Sequence, residues 1–256
     1  MRVTKSPGRP SSVQSGAQAD LKKKRLRHER WIGLATAGAA RFPGTFGRIP
    51  NFKGAERAAE ILSEQAIFRR AEWLKCNPDM PQRPVRHRAL KAGKRIYMAV
   101  PKLAAKKPFL LLDPRKLDSA DLWKASSIRG ALELGRPVTL KQVQPIDLVV
   151  TGCVGVSPNG SRLGKGGGYA DLEYACLREV EKVSARTPIV TTIHTTQILR
   201  DDEVPMLRHD VSLDGYATAE GWVGCRRKHR RPKGIFWDQL DQDKRHDIPC
   251  LARGGF

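Results

Sequence analysis

Apolar and polar positions change period along the chain, most clearly between residues 147 and 194. Residues 147–156 form an apolar run that predicts a strand, residues 169–184 repeat apolar side chains at helical spacing, and residues 188–194 form a second apolar run. One face of the predicted helix carries Leu172, Ala175, Cys176, Val180 and Val183. Strand, helix and strand in this order make a βαβ unit, so we predict an α/β fold whose sheet is at least partly parallel and covered by helices on both sides.

Similar patterns predict further elements on the amino-terminal side. These are a basic helix over 20–34 capped by Asp20, a loop over 36–53, a helix over 55–69, strands over 72–76, 95–100 and 109–112, a helix over 85–92, and partly helical structure over 118–135. Residues 1–19 are Ser-rich, basic and free of acids, which favours a disordered tail over an organelle transit peptide. We therefore expect one domain over 20–240 and a C-terminal tail over 241–256.

Residues 162–171 read Arg-Leu-Gly-Lys-Gly-Gly-Gly-Tyr-Ala-Asp and connect the predicted strand to the predicted helix. The four glycines that let backbone amides approach an anion are Gly164, Gly166, Gly167 and Gly168. Arg162 and Lys165 add cations, Asp171 could hold Mg²⁺, and the helix adds its positive amino end. The segment predicts a phosphate-binding loop at the carboxyl edge of the sheet, with a flexible turn as the alternative, because the spacing matches neither a P-loop nor a dinucleotide fingerprint.

The net charge of the chain and its distribution indicate which kinds of ligand and partner the protein could bind. The chain has 256 residues and a formal net charge of +21, of which residues 1–31 carry +7 and the cluster from Arg226 to Lys233 carries +6. The remaining +8 suits a domain that binds polyanionic small molecules, and the cluster is a candidate nucleic-acid surface. Five cysteines without a Cys-x-x-Cys pair favour a reducing compartment, and no apolar run is long enough to span a bilayer, so we expect a cytoplasmic protein without a membrane partner.

With the glycine loop in this setting, the chain resembles the 5-formyltetrahydrofolate cyclo-ligase family, also called methenyltetrahydrofolate synthetases. The family's Arg-x-Gly-x-Gly-x-Gly-Tyr-Tyr-Asp loop is matched by residues 162–171, with Ala170 in place of the second Tyr, and its Lys-x-x-x-Arg by Lys23 and Arg27. Downstream matches are Gln197, Pro205, His209, Asp210 and Asp214. Residues 48–54, 168–175 and 232–235 are similar to the branch called methenyltetrahydrofolate synthetase domain-containing proteins.

The resemblance implies a three-layer α/β/α fold with a largely parallel sheet, and an enzyme that uses ATP and Mg²⁺ to cyclise 5-formyltetrahydrofolate to 5,10-methenyltetrahydrofolate through a phosphorylated formyl group. Nucleotide would be bound by Lys23, Arg27, Arg162, Gly164, Lys165, Gly166, Gly167, Gly168 and Asp171, with Asp171 also on the metal. Arg162, Lys165 and Tyr169 would serve catalysis, and Glu56 and Tyr169 would contact the folate.

Each of these roles has a structural alternative. Asp171 could complement the first turn of its helix, Tyr169 could pack against the sheet, and Glu56 could face solvent. We expect His209 and Asp210 to brace their loop and Cys153 to belong to the core. For the whole chain, two alternatives to the cyclo-ligase remain: an RNA-binding protein on the same fold, using the basic cluster, or a nucleotide-dependent activity on another pterin or small acid.

Overall fold

The structure is a computed structural model that describes the backbone of residues 12–252. Within that range the α-helices are α1 (Ser12–Thr36), α2 (Ala55–Ser63), α3 (Ala66–Arg70), α4 (Arg83–Lys91), α5 (Leu122–Ala125), α6 (Ile128–Leu134), α7 (Tyr169–Glu179) and α8 (Gln242–Asp247). The strands of the same range are β1 (Trp73–Cys76), β2 (Arg95–Ala99), β3 (Phe109–Leu112), β4 (Arg136–Val138), β5 (Leu148–Val150), β6 (Gly155–Val156), β7 (Arg162–Leu163), β8 (Ile189–Thr192), β9 (Gly215–Ala217) and β10 (Trp222–Gly224). No helix among these described residues is long and apolar enough to cross a bilayer.

One eight-stranded sheet forms the centre of the domain, in the order β10-β9-β8-β5-β1-β2-β3-β4. Its five middle strands, from β9 to β2, pair in parallel. The pairs β9–β10, β2–β3 and β3–β4 at the two edges are antiparallel. The predicted α/β class with a largely parallel sheet is therefore confirmed.

Alternate residues of the strands pack on opposite faces of the sheet. In β5, Val149 belongs to a core cluster that includes Cys176 and Leu177 of α7, whereas Val150 belongs to a second cluster with Val85 of α4 and Leu62 of α2. Because side chains of a strand alternate between faces, each face needs its own cover. Helices on both faces give the predicted three layers.

The predicted βαβ unit is confirmed, since α7 connects β5 to β8 and these two strands pair in parallel. The predicted strand over 147–156 is too long, however, because β5 ends at Val150. The chain then leaves the sheet, and β6 pairs with β7 in a separate antiparallel ribbon. Arg162 is consequently a strand residue that enters the glycine loop from a fixed position.

Both ends of the domain differ from the prediction. Helix α1 begins at Ser12, so it takes in part of the expected tail over 1–19, and Asp20 lies inside the helix rather than at its cap. At the other end, the expected tail over 241–256 contains α8 and the buried residues Ile248, Cys250 and Leu251, which join the core. Residues 1–11 and 253–256 of these expected tails lie outside the described residues.

Candidate functional site

The glycine loop, residues 164–168, leads directly into α7. Gly166 and Gly168 have φ of 112° and 69°, backbone conformations that a side chain makes costly, and Gly168 is the residue that caps the amino end of α7. The first-turn amides of an α-helix have no partner within the helix and carry partial positive charge. The loop therefore presents this amino end, together with its own backbone, to an anion.

A cavity of about 340 Å³, here called the site cavity, lies beside the loop. Its lining comes from the segments that follow three neighbouring parallel strands: Asn77 and Asp79 after β1, Lys102 after β2, and Gly152 after β5. This is the carboxyl edge of the sheet, where ligands of parallel α/β folds bind. The loop thus lies where the sequence predicts a ligand site.

Two predicted cations donate to backbone carbonyls of glycines that line the site cavity. Arg27 of α1 donates from Nε to the carbonyl of Gly164 at 2.7 Å, and buried Arg162 donates from Nη1 to the carbonyl of Gly152 at 3.1 Å. Burial lowers the pKa of Arg27 and outweighs the opposite effects of Asp20 and Asp210, while the neighbouring Arg162 lowers this pKa slightly further. Lys165 is about half exposed, with Nζ 3.7 Å from a carboxylate oxygen of Asp79.

Asp171 on the first turn of α7 is an ionised carboxylate. Its Oδ1 accepts from Arg162 Nη2 at 2.5 Å and from the backbone amide of Val211 at 2.9 Å. Burial alone would raise the pKa of Asp171, but Arg162, the Val211 amide and Lys23 outweigh burial and hold the pKa below its usual range. Burial lowers the pKa of the Arg162 guanidinium, but Asp171, Cys153 and Asp210 together outweigh burial and raise this pKa above its usual value.

This donor set fits a magnesium ion that arrives with phosphates. Both contacts of Asp171 use Oδ1, and Mg²⁺ is commonly held by one or two carboxylates together with phosphate oxygens and water. Among residues 16–252, no cluster of three or more His, Cys, Asp and Glu side chains has the arrangement of a metal site built from protein alone. The glycine loop and its cations likewise fit the phosphates of a nucleotide.

The structure places Lys23 in a buried ion pair. It is buried, its Nζ lies 2.5 Å from Oδ2 of Asp210, and it does not line the site cavity. Asp210 also accepts from the backbone amide of Leu207 at 2.6 Å, so it braces its loop as predicted. The Lys23–Asp210 pair therefore anchors α1 against that loop, one turn of helix before Arg27.

The two predicted folate contacts are separated by the fold. Tyr169 lines the site cavity at the start of α7 and also packs against the core. Glu56 does not line it: this carboxylate lies 2.7 Å from Arg41 Nη1 and borders a different, outer groove that also contains His87 and Trp123. The predicted helix over 55–69 is divided into α2 and α3. The face of α2 that carries Glu56 borders the outer groove, so the structure does not bring Glu56 and Tyr169 together.

The sequence reasoning missed a buried ion pair at the floor of the cavity. Lys75 of β1 donates from Nζ to Glu173 of α7 and, at 2.9 Å, to Oδ1 of Asn77. Lys75 and Glu173 are 1% and 5% exposed. Both interrupt apolar stretches, Lys75 between Leu74 and Cys76, and a charge inside an apolar run is the signal that could have identified them.

The basic cluster from Arg226 to Lys233 is partly structural. Buried Arg231 donates from Nε to the carbonyl of Ser212 at 2.9 Å, and Nη2 donates to Asp214. Lys228 lies 2.8 Å from Asp202. Only part of the positive charge of the cluster is therefore free to bind a polyanion. A nucleic-acid role for this cluster remains a prediction.

Cys153 lies in the core, as the sequence predicts. The residue is 1% exposed, and burial raises the pKa of its thiol to about 11 despite a contact with Thr191. A thiol with this pKa is protonated at neutral pH and is a poor nucleophile.

Three similarities place these features among known proteins. A sequence model described as the 5-formyltetrahydrofolate cyclo-ligase family matches residues 20–219. A methenyltetrahydrofolate synthase domain-containing protein of Danio rerio is 34% identical over 229 residues, covering 89% of this chain and 60% of that protein. A mitochondrial 5-formyltetrahydrofolate cyclo-ligase of Arabidopsis thaliana is 32% identical over 90 residues, or 34% of this chain and 32% of that enzyme.

The fold has a counterpart among solved structures. The NMR structure of Aquifex aeolicus 5,10-methenyltetrahydrofolate synthetase superposes with a TM-score of 0.50 at 19% identity, covering 86% of this chain and 98% of that one. This likeness supports the three-layer architecture. The chain spans about three fifths of the length of its curated animal relatives.

Proposed function

Because the chain belongs to the 5-formyltetrahydrofolate cyclo-ligase family, we propose that it catalyses the ATP-dependent conversion of 5-formyltetrahydrofolate to 5,10-methenyltetrahydrofolate. One observation carries the proposal to this chain's own residues. Arg27 and Arg162 approach the glycine loop beside the site cavity, at the carboxyl edge of the parallel sheet. That geometry suits the terminal phosphates of a nucleotide.

Bound MgATP would supply the phosphoryl group that turns the N5 formyl oxygen into a phosphate leaving group, so that N10 can close on the same carbon. The residues of the chain would position the reactants and stabilise the negative charge that spreads over the transferred group. Arg162, held by Gly152 and Asp171, provides a fixed cation, whereas half-exposed Lys165 can follow the phosphates. Asp171 would hold the magnesium ion through Oδ2.

The folate would occupy the remainder of the site cavity. Tyr169 lines this space and offers a ring on which a pterin can stack. Ala170 lines it as well, and its small side chain occupies less of the cavity than the Tyr of the family loop. We therefore expect the bicyclic ring beside residues 169 and 170.

Incubation of the purified chain with 5-formyltetrahydrofolate and MgATP tests the proposal through the absorbance of the methenyl product. Lys165→Ala should lower kcat/KM about tenfold, the lower end of what one charge-assisted hydrogen bond contributes. Lys107→Ala is the matched control, because it removes one lysine from an exposed loop and should leave kcat/KM within about twofold. Folded protein that neither forms product nor binds nucleotide would reject the proposal.

A further inference from the structure

Alternate glycines of the loop each face a different cation. A Cβ built on Gly164 would lie 3.3 Å from the Arg162 guanidinium, one on Gly166 would lie 3.5 Å from the Arg27 guanidinium, and one on Gly168 would lie 3.6 Å from the Nζ atom of Lys244. The first two cations lie within the residues that the family model matches, 20–219. Lys244 lies 25 residues beyond the end of that match.

Lys244 is held in place by the segment that carries it. It belongs to α8, and its Nζ lies 5.6 Å from the centre of the Tyr169 ring. The amide of Ile248 donates to the carbonyl of Lys244 at 3.2 Å, and buried Ile248 and Cys250 join the core immediately afterwards. The buried residues that follow Lys244 in the chain therefore hold it beside the loop.

The other end of this segment, residues 235–251 and here called the C-terminal strap, is anchored too. The amide of Ile235 donates to Glu179 of α7 at 2.7 Å, and the side chains of His209 and Gln239 form a hydrogen bond of 2.8 Å. Glu179 is the last residue of α7, whereas Lys244 lies beside Gly168 at the start of that helix. The strap therefore runs along α7, from the carboxyl end of the helix to the glycine loop.

The charge of Lys244 is available to a ligand. Among the described side chains, no carboxylate lies within 4.0 Å of its Nζ atom, and Oδ1 of the nearby Asp241 accepts from the amide of Asp243 instead. Lys244 lines a small cavity of about 120 Å³ together with Gly168 and Asp171, both of which also line the site cavity. The lysine thus reaches the amino end of α7 from a cavity that neither Arg27 nor Arg162 lines.

We propose that Lys244 is a phosphate-binding residue of the nucleotide site, and that the C-terminal strap completes this site with a cation from outside the family-matched region. The inference rests on the proposed function, because it assigns a residue to the same nucleotide. An ammonium group is a compact charge with three donors, which suits a phosphate held on the helix amides. Gly168, the residue that caps α7, lies within van der Waals reach of that ammonium.

Isothermal titration of the full chain with MgATP tests the inference. Lys244→Met keeps the aliphatic stem and removes the charge, and it should raise the Kd for MgATP about tenfold. Lys244→Arg keeps the charge and should stay within about threefold of wild type. Arg245→Met is the matched control: it removes the same charge from the exposed neighbouring position of α8 and should stay within about twofold.

Two further measurements separate the outcomes. The affinity for 5-formyltetrahydrofolate alone should be the same in wild type and Lys244→Met; an equal loss for both ligands would overturn the inference, since it would indicate a displaced loop. Equal MgATP affinities of the Lys244 and Arg245 variants would also overturn it, while leaving the proposed function standing. A wild-type chain that binds no nucleotide would reject both.

Discussion

Replacing one partner of the Lys75–Glu173 pair tests the energetics of the cavity floor. Both side chains are buried, and Asn77 donates to Glu173 at 3.3 Å and accepts from Lys75 at 2.9 Å. Glu173→Gln leaves the ammonium buried beside neutral partners only. Removing one side of a buried ion pair costs about 3–5 kcal/mol, because the remaining charge is neither solvated nor paired. In a chain of this length the unfolding midpoint should fall by about 10 °C.

A double-mutant cycle measures the pairing itself. Lys75→Met should cost as much as Glu173→Gln, but the double variant should cost at least about 2 kcal/mol less than the sum of the two, since neither charge then remains unpaired. Urea unfolding followed by circular dichroism gives the three free energies. The exposed Lys124–Glu133 pair is the control, and Glu133→Gln should cost less than about 1 kcal/mol. Costs that add within about 0.5 kcal/mol would refute the reasoning, because independent sites behave in that way.

Three further outcomes follow from the loop and its surroundings. Gly166 and Gly93 both have positive φ, so replacing either one by Ala should cost about 1–2 kcal/mol of stability. Calorimetry should find weaker MgATP binding only for Gly166→Ala, and equal affinities of the two variants would contradict the loop's role. Because the pKa of Asp171 is lowered by folding, its ionised form stabilises the protein above about pH 4, and this contribution disappears as pH falls through the folded-state pKa. The stability gap between wild type and Asp171→Asn in urea titrations should therefore shrink from pH 7 to pH 3, and a constant gap would argue against the shift. Arg231→Gln should cost about 1–3 kcal/mol, because the carbonyls of Ser212 and Thr187 lose a buried donor, and Arg230→Gln should cost almost nothing, so equal unfolding midpoints would contradict the structural role of Arg231.

The central part of the fold was predictable because its elements are long or strongly patterned. The apolar run that ends in β5, the amphipathic α7 and the run of β8 follow one another at short spacing, which leaves few alternatives to a parallel βαβ unit. Strands β9 and β10 were missed, since each has only three residues and β9 begins with a glycine. Residues 241–251 of the strap were predicted as part of a tail because α8 is a run of polar residues, and the anchors Ile248 and Cys250 follow outside the helix.

Within the site, residues close in sequence to the glycine loop were placed more reliably than distant ones. Arg162 lies within the recognised motif, and its position follows from the backbone that surrounds it. Lys23 and Arg27 are only four residues apart on one helix, yet one binds Asp210 and the other the loop, a difference that depends on how α1 packs. Periodicity predicted the helix of Glu56 but contains no information on which cavity that helix borders.

The three cations that approach alternate glycines come from residues 27, 162 and 244, so they meet only when almost the whole domain is assembled. An unfolded chain would have no comparable affinity for a polyphosphate, and any ligand of this cluster must favour the native state by mass action. At a hundredfold excess over Kd that preference amounts to about 2.7 kcal/mol. Differential scanning fluorimetry across a panel of nucleotides and reduced folates would then rank the natural ligands by melting temperature, with no need to observe turnover.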